Sequence, residues 1–118
     1  MAIHNVVGKE GENEAAKFLE KKGYQIIERN WRSGKFEVDL IARKANTIVV
    51  VEVKTRSGNI DQVEEILSDS KLKKIAEAAN RYMEKQTKEL DCRIDVLLLQ
   101  KKSNDFDVIH YEDAINQT

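Results

Sequence analysis

Proline is missing from this sequence altogether, and cysteine and histidine are nearly so: Cys92, His4 and His110 are the complete set among 118 residues. Without proline or a run of small polar residues there is no linker composition to divide the chain, and its length suits one compact domain over 1–118 with a real core. A lone cysteine makes no internal disulfide, and two histidines at opposite ends bring no Cys/His cluster, which argues against a structural zinc site. No stretch approaches the roughly 20 apolar residues that span a bilayer. The opening MAIHNVVGKEGENE lacks a basic start followed by an apolar run, so a cytoplasmic location and no membrane partner are expected.

Nor does either charge dominate. Twenty Lys and Arg stand against 21 Asp and Glu, a net charge of -1, which excludes a protein that gathers nucleic acid by its overall field. The distribution is uneven, however. Residues 29–56 hold seven basic residues (Arg29, Arg32, Lys35, Arg43, Lys44, Lys54, Arg56) against three acids, whereas residues 57–69 hold Asp61, Glu64, Glu65 and Asp69 with no base. Segments this short also become patchy by chance, so the bias matters only if it coincides with a site.

What the sequence does contain is alternating periodicity. Ala15, Ala16, Phe18 and Leu19 recur at helical spacing and predict a helix from about Val7 to Lys22, closed by Gly23. Strands are predicted at Tyr24–Trp31, Phe36–Ala42 and Thr47–Thr55, with turns at Ser33-Gly34 and Ala45-Asn46, forming an antiparallel meander. An acidic segment with Ile60, Val63, Ile66 and Leu67 has helical spacing. An amphipathic helix follows at Ser70–Lys85, with Leu72, Ile75, Ala76, Ala79, Tyr82 and Met83 inward. Cys92–Leu99 then reads as a buried strand laid parallel to Thr47–Thr55 through a right-handed crossover, and Phe106–Tyr111 as an edge strand. The fold class is α/β, an αβββαβ core with a central mixed sheet flanked by helices.

The stretch VVVEVKTR at 49–56 places Glu52 and Lys54 on one side of an otherwise apolar strand. Glu37 and Asp39 share a side of the preceding strand, with Phe36, Val38 and Leu40 opposite. Matching the apolar faces brings the charged faces together. The hairpin pairs Asp39 either near Val50 or, two residues along, with Glu52. Converging carboxylates repel unless a cation sits between them, and hard oxygen ligands suit Mg2+ or Mn2+ with water and phosphate in the remaining positions. Lys54 beside such a pair can contact a phosphate or hold an attacking water, which is the equipment for phosphodiester hydrolysis. Glu-x-Lys alone is commonly the wet face of a strand, but here Ile48 and Val50 share that face, and desolvating an unpaired charge costs several kcal/mol. Glu12, with Ala15, Ala16 and Leu19 at i+3, i+4 and i+7, lies at the edge of an inward helix face; it serves equally as a helix-start acid favoured by the macrodipole.

Gly8-x-x-Gly11-Glu12-x-x-Ala15, Gly23-Tyr24, Asn30-Trp31-Arg32, Glu37-Val38-Asp39-Leu40-Ile41-Ala42, Val51-Glu52-Val53-Lys54-Thr55-Arg56, Lys71 and Arg93-x-Asp95 together resemble the YraN-like family of small bacterial predicted endonucleases. That family is similar to the PD-(D/E)XK nuclease superfamily, with a restriction-endonuclease-like core, and distantly to archaeal Holliday junction resolvases. Phe36 departs from the family, which commonly has glycine there. The resemblance implies an endonuclease hydrolysing DNA, branched DNA included, with Mg2+ or Mn2+ as cofactor. It implies Asp39, Glu52 and Glu12 as metal ligands and Lys54 as the residue that positions water. Arg32, Arg56 and Lys71 are the expected nucleic-acid contacts, Glu37 an outer support, and a homodimer would suit paired cuts in a junction. The rival reading is a nucleic-acid-binding module that keeps the fold without turnover.

Overall fold

The computed structural model describes residues 3–57 and 68–116, with side chains described over 8–56 and 68–115. The elements are α1 (Ile3–Lys21), β1 (Gln25–Ser33), β2 (Phe36–Lys44), β3 (Thr47–Ser57), α2 (Asp69–Glu84), β4 (Asp91–Lys101), β5 (Phe106–Tyr111) and a short 3-10 turn (Ala114–Asn116). The expected order αβββαβ with an added edge strand is what forms. The helical spacing noted at Ile60–Leu67 lies outside the described residues. None of the described helices is long and apolar enough to cross a membrane.

The five strands lie in sequence order in one mixed sheet: β1, β2 and β3 are antiparallel, β3 and β4 parallel, and β4 and β5 antiparallel. The parallel pair explains why β3 and β4 are the most apolar strands, since a sheet covered on both faces has no wet side to fill. Each face has its own core. Against α1 pack Leu40, Ala42, Val49, Val51, Val53, Leu97 and Leu99, meeting Ala15, Ala16 and Leu19. Against α2 pack Val38, Ile41, Ile48 and Val50, meeting Ile75, Ala78, Ala79 and Tyr82. The inward stripe of α2 is therefore Ile75, Ala78, Ala79 and Tyr82, a strict i, i+3, i+4, i+7 set, while Leu72, Ala76 and Met83, expected inward, are half-buried at its margins.

Gly11 sets the seat of α1. A β-carbon there would collide with the Thr55 hydroxyl of β3, so only glycine lets the helix backbone approach the strand this closely. One turn of contact then carries Glu12 to the end of β3 that follows Val53. Ser68 caps α2, its hydroxyl accepting the Lys71 amide hydrogen at 3.3 Å. Because α2 connects two parallel strands, it must start where β3 ends, which brings its first turn to that same end of the sheet.

Strand β2 corrects one expectation. Phe36, Val38 and Leu40 were to share a face, yet Phe36 and Val38 pack on the α2 side and Leu40 on the α1 side. The alternation breaks at Asp39. The hairpin turns through Ala45 in the left-handed region (φ 54°) and fixes the register with Leu40 opposite Val51, which makes Asp39 and Glu52 the next facing pair. There the backbone ladder stops. The Val53 amide donates to Asp39 Oδ2 at 2.7 Å, a side chain standing in for the carbonyl that a regular strand would offer. On the other flank Asn30, also left-handed at φ 51°, interrupts β1 opposite the same residue. The sheet is thus parted around Asp39.

Candidate active site

Where β2 and β3 part, Asp39 and Glu52 are close enough that each shifts the other's titration. Glu52 shares the parity of Ile48 and Val50 and so points to the α2 side, where it is 9% exposed. Two lysines meet it at one oxygen: Lys71 Nζ lies 3.2 Å and Lys54 Nζ 3.9 Å from Glu52 Oε1. An open cleft of about 490 Å3 runs from the pair, its lining including Asp39, Glu52, Ser70, Lys71, Lys74 and Lys35.

The electrostatics follow from this crowding. Burial, and then the charge of Asp39, push Glu52 up to about 7 from an ordinary 4.5, against the pull of Lys71 and Lys54. Asp39 is likewise raised by burial, although the Val53 amide and Glu52 oppose the rise by bonding its charged form. Burial and the neighbouring Lys71 lower the pKa of Lys54, easing its use as a proton acceptor. Burial pulls Lys71 down too, but its contacts with Lys54 and Glu52 outweigh that and leave it raised.

Glu12 reaches the site from the opposite side of the sheet. It is half-buried, and its pKa is raised by burial first and next by the charge of Asp39, while a bond from Asn30 lowers it. It therefore feels Asp39 through the parted seam. Among the described residues, no three of His, Cys, Asp and Glu come together as a ligand set, so the pair that the fold assembles is Asp39 and Glu52. Two hard carboxylates fit Mg2+ or Mn2+, which commonly take one or two such groups and fill the remaining positions with water and phosphate. Glu37 lines the same cleft as Asp39 and Glu52; it is exposed and pairs with Arg32 at 3.3 Å on the β1–β2 hairpin. Arg56 is exposed near the end of β3.

Sequence reasoning passed over Ser70 and Lys74 of the cleft, counted Lys35 only as part of the basic stretch 29–56, and gave His110 no partner. His110 Nε2 lies 2.7 Å from Asp95 Oδ2. Asp95 is fully buried and is gripped by the Arg93 fork, with two contacts of 2.8 Å, and by the Asp113 amide at 3.0 Å. Arg93 also donates to the Tyr24 hydroxyl at 2.6 Å. The knot ties β4, β5, Tyr24 just before β1 and the C-terminal turn together on the α1 side.

A stability consequence of Glu52 can be measured. Its folded pKa of about 7 exceeds the ordinary 4.5. Between those values the folded chain keeps a proton the unfolded chain has released, so stability from this group is present below the lower pKa and lost as pH rises through the upper one. Glu52→Gln should therefore melt several degrees above the wild type at pH 8, a gain of about 2 kcal/mol, and converge with it towards pH 4.5. Melting curves across that range check it; a variant less stable than wild type at pH 8 would mean that the Lys71 pair outweighs the cost of burial.

The fold and site define a mixed α/β domain in which the buried Glu52 and the half-buried Asp39 form a carboxylate pair with two attendant lysines. The chain belongs to uncharacterised protein family UPF0102, whose model matches residues 11–99. UPF0102 protein FP2501 of Flavobacterium psychrophilum is 40% identical over 115 residues, covering 97% of each chain. A UPF0102 protein of Bacteroides thetaiotaomicron is 42% identical over 115 residues, covering 97% of this chain and 95% of that one. The solved structure of Pyrococcus furiosus SfsA in complex with Ca2+ is similar with a TM-score of 0.40 and 20% identity, over 92% of this chain and 63% of that chain.

Proposed function

We propose that this protein is a metal-dependent endonuclease of the PD-(D/E)XK type that hydrolyses phosphodiester bonds in DNA. The observation that carries the reading is the facing pair Asp39 and Glu52 at the parted seam, with Lys54 and Lys71 beside Glu52 and a cleft opening from the pair that Lys71, Lys74 and Lys35 help to line. Asp39 and Glu52 would hold Mg2+ or Mn2+, which when bound supplies charge against the phosphate oxygens and acidifies water. Lys54 Nζ, its pKa lowered, takes up the proton of the attacking water as the new P–O bond forms and the bond to the leaving oxygen breaks. Lys71, Lys74 and Lys35 line the route by which a phosphate backbone would reach the pair. Glu12 acts from the far side of the seam, through its effect on Asp39.

Linear, flapped and four-way branched DNA incubated with the protein and Mn2+ or Mg2+ should yield nicked products, and EDTA should abolish them. No cleavage of any of these substrates under either metal would overturn the reading. Binding that persists unchanged in EDTA, without cleavage, would identify the chain instead as a nucleic-acid-binding module on the same fold.

A further inference from the structure

The charge at the site is already balanced by the chain itself. Asp39 and Glu52 face Lys54 and Lys71, two acids against two bases, and the contact at the shorter distance comes from Lys71 at 3.2 Å, not from its strand neighbour Lys54 at 3.9 Å. Lys71 is also the only one of the four delivered by another layer of the fold: it rises from the first turn of α2, which the Ser68 cap fixes in place. Its side chain is 33% exposed, and on the solvent side it opens into the cleft beside Ser70 and Lys74. Its ammonium is thus held by Glu52 on one side and has polar space to retreat into on the other.

Resting on the metal-site reading above, we infer that Lys71 is the built-in counter-ion of the metal-free site, holding the Glu52 carboxylate ready and yielding it when a divalent cation would bind. The physical reason is direct. A doubly charged ion held by the Glu52 carboxylate would sit within a few ångström of the Lys71 ammonium, and like charges that close in a half-buried setting repel strongly. Metal loading therefore has to move the ammonium off Glu52. Lys71 then turns into the cleft, where a phosphate oxygen can receive it. Lys71 is in this sense a positioning residue whose removal should make metal binding easier, the reverse of what removing a ligand or a structural contact does.

The test is Mn2+ binding, followed by electron paramagnetic resonance of free Mn2+, on wild type, Lys71→Met and Lys71→Arg, each also melted in EDTA at pH 8. Lys71→Met keeps the stem and lacks the charge; it should bind Mn2+ at least about 10-fold tighter than wild type, while melting lower in EDTA because Glu52 has lost its counter-ion. Lys71→Arg should stay close to wild type in both. Equal or weaker Mn2+ binding by Lys71→Met, with wild type binding, would overturn the counter-ion role and leave the metal site standing. Absence of Mn2+ binding in all three proteins would overturn the metal site as well. Should Lys71→Met not fold, Lys71→Gln supplies the same neutral comparison.

Discussion

Asp39→Asn should leave the protein folded and lower its metal-dependent cleavage of DNA by at least about 10^3-fold, the scale at which losing a charged group at a reacting phosphate is felt. The substitution suits the question because one role of Asp39 survives it. Asparagine Oδ1 can still accept the Val53 amide hydrogen that Asp39 Oδ2 accepts at 2.7 Å, so the parted end of β2 keeps its anchor. What goes is the negative charge. One of the two hard ligands becomes a neutral amide, and Glu52, no longer facing a second carboxylate, titrates lower than about 7. Initial rates on one DNA substrate, read alongside melting temperature and Mn2+ affinity, separate these effects. A variant that folds normally and cleaves at more than a tenth of the wild-type rate would remove Asp39 from the chemistry.

Asp95→Asn is expected to do the opposite, costing about 3–5 kcal/mol of stability while leaving every side chain around Asp39 in place. For a domain whose total margin is about 5–15 kcal/mol, that is a large share. The carboxylate accepts from both arms of Arg93, from the Asp113 amide and faces His110 Nε2, all from a fully buried position. An amide replaces one acceptor with a donor, which then points at donors, and leaves the guanidinium without its bidentate partner. Burial by itself would raise the pKa of Asp95; the bonds from His110 and Arg93 prevail and hold it at about 2, below the ordinary 3.8. The sign is clear. The unfolded chain binds the proton first as pH falls, so this contribution is intact above about pH 4 and lost on the way down through pH 2. Urea unfolding at pH 7 and at pH 3 should show the wild-type advantage shrinking with acid; an Asp95→Asn loss below about 1 kcal/mol at pH 7 would show that the knot does not hold the fold.

The order of elements and the buried strands were legible because period-two and 3.6-residue patterns are local properties, and in β3 and β4 they are strong. The facing of Asp39 and Glu52 was legible only as one of two registers, since the turn through Ala45 and not the side-chain pattern decides between them. The shared face of Phe36, Val38 and Leu40 was misread for a related reason: period two presumes an unbroken strand, and β2 is broken by a side chain, Asp39, taking a backbone acceptor's place. Lys71 could be matched as a residue but not placed, because its position beside Glu52 depends on where a crossover helix lands. His110 looked solitary for want of the β4–β5 pairing, which sets Leu97 opposite it and so brings Asp95, two residues earlier, into reach.

The sheet otherwise acts as an insulating partition: two dry half-cores, one under each helix, with strands of valine and leucine between them. At Asp39 the partition has a window. Glu12 on one side and Glu52 on the other are both shifted by the charge of the same carboxylate, although they belong to opposite faces of the sheet. Whatever neutralises Asp39 is therefore sensed under α1 as well as under α2, and a carbon-13 label on the Glu12 carboxyl becomes a gauge of events in a cleft it does not line.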